Sequence, residues 1–206
     1  MGNPTKPPVW ASYFHQPVSW FEPLRWKEVF PSQDLSIHVD LGAGDGGFVR
    51  ARARNHPEIN FLAVERLLGR ARKNARGAFR DGLDNVRVLR IEAAYAVEYL
   101  FPPHSVAAIT IFFPDPWPKR RHHKNRLIQP RLLECCARCL QPAGWLAIKT
   151  DDAPYFEQIG AALADCKALR LWPDTDAVTL FPETTDFEKD FVKKGQSIHF
   201  VAARPS

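Results

Sequence analysis

What most constrains this chain is a regular alternation of two periodicities that begins at Leu35. Short apolar runs (SIHVDL, INFLAVE, VRVLRI, VAAITIFF, GWLAIKT) alternate with segments of helical period (FVRARARNH, LLGRARKNARGAFRD, AYAVEYL, PRLLECCARCL). The runs are too short for helices, rich in Val, Ile or Phe and bounded by turn residues, so they read as strands buried on both faces. A strand, a helix and another strand in series predict a largely parallel sheet with helices on both faces, the α/β class. One more helix (APYFEQIGAALADC) precedes a proline-containing stretch and a last strand near SIHFVAA.

The chain's 206 residues suit one domain with a full core. Residues 35–206 form the expected body. Residues 1–34 differ in composition: six prolines are interleaved with Trp10, Tyr13, Phe14, Trp20, Phe21, Trp26 and Phe30. Such proline density blocks long helices, while the aromatics need a surface to cover, so this segment reads as an arm packed on the body with its first few residues loose. Cys135, Cys136 and Cys139 fall at helical spacing among Leu132, Leu133 and Leu140. Without a second ligand pair to complete a zinc set, they read as core thiols, and no metal is expected. Neither a spanning apolar run nor a secretion signal is legible, so the expectation is a cytoplasmic protein without a membrane partner.

The segment Asp40-Leu41-Gly42-Ala43-Gly44-Asp45-Gly46-Gly47 joins the first strand of the body to its first helix. Glycines there permit a tight turn and let a ligand approach the backbone at the carboxyl edge of the sheet. Gly42, Gly44 and Gly47 match the dinucleotide pattern, and Glu65 ends the next strand, so NAD binding is an open alternative. The carboxylates of Asp40 and Asp45 disfavour a pyrophosphate and favour a cationic ligand, such as the ammonium and sulfonium of S-adenosyl-L-methionine. Glu65, Glu92 and Asp115 each fall at or just after the end of a strand.

After the fourth strand of the body comes FFPDPWPKRRHHKNR, in which five Lys or Arg fall between Lys119 and Arg126. Prolines stiffen the loop around Asp115 and Trp117, and the cations form a phosphate-binding stretch beside the expected cofactor pocket. The whole chain carries a net charge of +5, which agrees with an anionic partner without identifying one. A second basic run, Arg66 to Arg80, reads first as an exposed helix face.

FPDPWPKRRHHKNR resembles the signature of the bacterial tRNA (guanine-N7)-methyltransferase family. HVDLGAGDGGF, FLAVER, KTDDAPY and TTDFE resemble other segments of that family in the same order, and the likeness covers roughly residues 20 to 200. The resemblance implies a Rossmann-like S-adenosylmethionine-dependent methyltransferase fold with a mostly parallel seven-stranded sheet, and a guanine in the tRNA variable loop as substrate. It implies cofactor contacts at Asp40, Gly42, Gly44, Glu65, Glu92 and Asp115, with Glu65 on the ribose hydroxyls, Glu92 at the adenine end and Asp115 the catalytic residue where cofactor and base meet. RNA or guanine contacts are implied at Lys119, Arg121, His122, His123, Lys124, Asn125, Arg126, Asp151, Thr185, Asp186, Phe187 and Glu188. The family often has Glu where Asp40 stands and Asp where Glu92 stands. An NAD-dependent oxidoreductase, a methyltransferase with a non-tRNA acceptor and a non-catalytic RNA-binding protein are the rival readings, and a monomer is preferred to a homodimer.

Overall fold

The computed structural model describes residues 8–30, 35–173 and 180–206. In chain order its strands are β1 (Phe14–His15), β2 (Ser36–Leu41), β3 (Ile59–Val64), β4 (Val86–Leu89), β5 (Val106–Phe112), β6 (Leu140–Thr150), β7 (Leu169–Leu171) and β8 (His199–Pro205). The helices are α1 (Trp26–Val29), α2 (Gly47–Asn55), α3 (Leu68–Arg80), α4 (Ala93–Tyr95, prolonged by a π turn over Ala96–Leu100), α5 (Pro130–Cys139), α6 (Ala153–Asp165) and α7 (Asp186–Lys193). The strands form one eight-stranded sheet in the order β1-β4-β3-β2-β5-β6-β8-β7. All pairings from β1 to β6 are parallel, while β8 runs antiparallel to both β6 and β7.

The periodicity explains the layers. Along β3, Leu62 and Val64 enter one core, while Phe61 and Ala63 enter the other. Alternation of side chains across a strand therefore serves two apolar faces at once, which is why apolar residues dominate these runs instead of alternating with polar ones. On one face α5 contributes Leu132, Leu133 and Cys136 and α6 contributes Tyr155 and Ile159. On the other, α2 and α3 bring Phe48, Val49, Ala71, Ala75 and Ala78. Cys135, Cys136 and Cys139 are free and buried on α5, as their spacing suggested.

Two strands lie outside the six runs legible in the sequence. β7 is a three-residue edge strand whose Arg170 and Leu171 are exposed, so it offers no hydrophobic pattern. β1 comes from the arm and pairs with β4, setting Phe14 against Val88 and His15 against Leu89. The implied seven-stranded sheet thus gains an eighth strand, because the arm ends an otherwise open parallel edge. Further along, the arm is stitched to α4 and its π turn: Leu24 N–H donates to Leu100 O at 2.7 Å and Tyr95 Oη–H to Trp20 O at 2.8 Å. Arg76 of α3 sits 4.8 Å from the centre of the Trp10 ring. The expectation of loose first residues concerns positions 1–7, outside the described residues. No described helix is long and apolar enough to cross a membrane.

Candidate active site

Parallel strands deliver their carboxyl ends to one edge of the sheet, and the loops that follow β2, β3, β4, β5 and β6 meet there. They enclose a cavity of about 710 Å³ that brings together Glu65, Glu92, Asp115, Trp117, Asn125 and Asp151. A narrower cavity of about 210 Å³ adjoins it, bounded by Asp40, the glycine loop, Arg70 and α7. Gly42, Arg70, Phe112 and Phe187 line both, so the two are lobes of one site.

Gly42, Gly44 and Gly46 all have positive φ, between 56° and 82°, the region where a Cβ is disfavoured. A Cβ on Gly42 or Gly44 would meet no atom within 4 Å, so their bare faces open onto space for a ligand. Gly46 serves packing instead: its Cβ would fall 2.2 Å from the buried Asn74 side chain. Gly47, the third glycine of the dinucleotide match, simply begins α2. Glu65 is locked from below. Its Oε2 accepts from Gly44 N–H at 3.0 Å and its Oε1 from Leu67 N–H at 2.7 Å, which aims the carboxylate and leaves lone pairs for ribose hydroxyls. One oxygen of Glu92 caps α4 by accepting Tyr95 N–H at 2.8 Å, while the residue lines the large lobe.

Asp40 is buried at the end of β2, and burial pushes its pKa from 3.8 up to about 7. The Thr110 hydroxyl, donating at 2.6 Å, opposes that shift, while the nearby Glu65 charge adds to it. A buried carboxyl held near neutrality gains most when a cation arrives beside it. Asp45 also lines the small lobe, and its carboxylate takes a 2.5 Å ion pair from the exposed Lys73. The open Gly42 and Gly44 faces, the aimed Glu65 and the raised Asp40 together fit S-adenosyl-L-methionine.

The loop after β5 reaches its shape without glycine. Phe113 and Trp117 have φ of 53° and 43°, costly values for residues with a Cβ. Phe113 is held by its N–H bond to Lys149 O at 2.8 Å. Arg126 holds the other end: its Nε–H donates to Pro116 O at 2.7 Å, its Nη1–H to Gln158 Oε1 at 2.5 Å, and the guanidinium lies 4.7 Å from the centre of the Tyr155 ring. Arg126 is only 4% exposed, so the implied RNA contact becomes a strut beneath the loop. Lys119, Arg121, Lys124 and Asn125 are exposed along the 3-10 turn Arg120–Asn125 and the residue that caps it. His122 and His123 are half-buried, His122 with its ring edge-on to Trp117 at 5.8 Å. Asp152 caps α6 by accepting Tyr155 N–H at 2.7 Å, which leaves Asp151 to line the large lobe.

The implied contacts in TTDFE divide in the same way. Thr185 and Glu188 form a reciprocal capping box at the start of α7. Both Glu188 oxygens also accept from Lys149 Nζ, at 2.9 and 3.0 Å. Lys149 is 1% exposed, so Glu188 neutralises a buried charge and is not free for RNA, while Thr185 also lines the small lobe. Phe187 does face the site, lining both lobes with Arg70 at 5.9 Å from its ring centre. Asp186 opens α7, and its side chain is outside the described residues. Lys149 itself escaped the sequence reading, although one cation at the end of an otherwise apolar run was a signal for it. Just upstream, Glu183 pairs with Arg52 at 3.0 Å and accepts from Asn55 at 2.7 Å, tying this segment to α2.

Sheet order and site define the class. The fold is that of S-adenosylmethionine-dependent methyltransferases, as in the 16S rRNA methyltransferase KamB (TM-score 0.63, 15% identity, 88% of this chain and 92% of that one) and an S-adenosylmethionine-dependent methyltransferase of Aquifex aeolicus (TM-score 0.56, 16% identity, 82% and 81%). A family model described as "Putative methyltransferase" matches residues 34–201. The tRNA (guanine-N(7)-)-methyltransferase of Syntrophotalea carbinolica is 36% identical, covering 94% of this chain and 84% of that relative. The one of Levilactobacillus brevis is 34% identical, covering 90% and 88%. The chain belongs to the tRNA (guanine-N7)-methyltransferase family, and its cofactor is S-adenosyl-L-methionine rather than NAD.

Proposed function

We propose that this enzyme methylates N7 of a guanine in the variable loop of tRNA, with Asp115 and Asp151 holding the base. The observation that carries the reading is one cavity shared by the cofactor carboxylates Glu65 and Glu92, the Asp115 and Asp151 pair and the foot of the exposed basic segment. Bound S-adenosyl-L-methionine supplies an electrophilic methyl on a sulfonium. Guanine N7 carries its lone pair outside the aromatic sextet, so no residue need remove a proton. The protein's contribution is alignment, worth several kcal/mol through proximity. Asp115 and Asp151 accept the N1 and exocyclic amino hydrogens, orient N7 and stabilise the positive charge that grows on the base. Lys119, Arg121 and Lys124 bind phosphates outside the cavity. In this reading the enzyme acts on tRNA as a monomer in the cytoplasm.

The test is methyl transfer to an unmodified tRNA transcript, with 7-methylguanosine mapped by chemical cleavage. Cleavage at a variable-loop guanine is expected, and no 7-methylguanosine would overturn the reading. Asp115→Ala should lose at least about 100-fold in turnover and keep its tRNA affinity.

A further inference from the structure

The basic segment does not face one way. Asn125 borders the reaction cavity, but Lys124, Asn125 and Arg126 also line a second cavity of about 270 Å³. Glu92, Asn125 and Leu127 belong to both cavities and form a common wall. The floor of the smaller one is apolar, with Leu132 and Cys135 buried on α5. Its lining carries both signs, with Glu92 and Glu98 beside Lys124 and Arg131. Lys124 is exposed and makes no ion pair among the described residues, while Arg131 reaches Glu98 at 2.9 Å.

We propose that this second cavity binds the nucleotide next to the target guanine, with its base on Leu127 and Leu132 and its phosphate at Lys124. The inference rests on the tRNA-methylating reading and adds a subsite to it. A guanine can present N7 to the deep cavity only when it is drawn out of the RNA stack, since the major groove of duplex RNA hides that atom. Its neighbour then loses a stacking partner, and the exposed base face needs an apolar surface. A strand that threads one base past Asn125 and Leu127 must carry the next nucleotide along the other side of that wall. An apolar floor with Lys124 as its one exposed cation outside a described ion pair matches a base with its phosphate, whereas the carboxylates of Glu92 and Glu98 disfavour a simple anion.

The experiment uses the full chain, saturating S-adenosylhomocysteine, an intact tRNA transcript and two matched transcripts that are abasic on either side of the target. Ala94 lines the small cavity and not the reaction cavity, so Ala94→Phe fills the proposed subsite. For the wild type, one abasic transcript should bind roughly tenfold more weakly. Ala94→Phe should lose a similar factor on intact tRNA and nothing further on that transcript, while keeping its S-adenosylhomocysteine affinity. Wild-type affinity of Ala94→Phe for intact tRNA, or losses that multiply, would overturn the subsite. Should Ala94→Phe not fold, Lys124→Ala decides, because this exposed change spares the core. It should lower the slope of log affinity against log salt by about 0.7, one single-strand phosphate contact, on intact tRNA and leave it unchanged on the weakened abasic transcript, whose phosphate is no longer seated; an equal change on both transcripts, or none on either, refutes the assignment. Turnover of the wild type on intact tRNA is scored separately, so failure of the methylation reading is distinguishable from failure of the subsite.

Discussion

The glycine loop after β2 and the proline loop after β5 stand side by side at the same edge of the sheet, and both need backbone in the left-handed region. The first places Gly42, Gly44 and Gly46 at those positions; the second places Phe113 and Trp117 there. In one loop the residue type permits the conformation, so the turn is locally determined. In the other, the bonds that Phe113 N–H donates to Lys149 O and Arg126 Nε–H to Pro116 O hold residues where they do not rest by themselves. The glycine loop is bonded to its neighbours as well, Gly44 N–H to Glu65, but its residue type already permits the turn, whereas the proline loop depends on its braces.

The largest effect should follow from removing the brace. Arg126→Ala breaks two charge-assisted hydrogen bonds inside the protein and should cost about 4 kcal/mol of stability, read by chemical denaturation. Turnover should fall with it, while S-adenosylhomocysteine affinity is kept in the folded fraction. Full turnover in that variant would show that the second loop supports itself as the first does.

The first loop can be divided by two substitutions. Gly46→Ala meets Asn74 at 2.2 Å as well as an unfavourable φ of 78°, and should cost about 3 kcal/mol. Gly44→Ala meets only the backbone penalty, about 1 kcal/mol, yet its Cβ projects into the ligand space, so cofactor affinity should drop more than stability. Calorimetric titration beside a melting curve separates the two, and equal loss of stability would contradict the assignment of Gly46 to packing and Gly44 to the ligand.

The smallest effect concerns pH. The folded pKa of Asp40 is raised, so its stabilising contribution is complete below about pH 4 and lost as pH rises through 7. Cofactor binding has the opposite sign, since the ammonium prefers the ionised carboxylate. Affinity should therefore rise about tenfold between pH 6 and pH 8, following the ionised fraction of a group titrating near 7. Asp40→Asn should flatten that profile, weaken binding at pH 8 and raise the melting temperature of the cofactor-free protein there. A wild-type profile flat across this range would remove Asp40 from the cation site.

Much of the architecture was legible because periodicity and glycine act locally. The five internal apolar runs fall on β2 to β6, and Glu65, Glu92 and Asp115, which follow β3, β4 and β5, line one cavity. The strands β1 and β7 were not legible, since two or three residues at a sheet edge carry no pattern. The roles within FPDPW and TTDFE were harder still. Position in the motif gives Lys124 and Arg126, or Phe187 and Glu188, the same standing.

By itself, the sequence determined the alternation of β2 to β6 with the helices between them, the glycine loop with its preference for a bare backbone, and the family to which the chain belongs. Each depends on residue type at short range. Only the tertiary structure decided that Arg126 braces a loop, that Glu188 neutralises Lys149, that Asp45 pairs with Lys73, and that Asp40 is buried against Thr110. A charged side chain acts according to its burial and its partner, and such partners lie up to 131 residues away along the chain, as Arg52 and Glu183 do. The two loops that face each other across the site divide along that line, one determined by its own glycines and the other by contacts made only when the chain has folded.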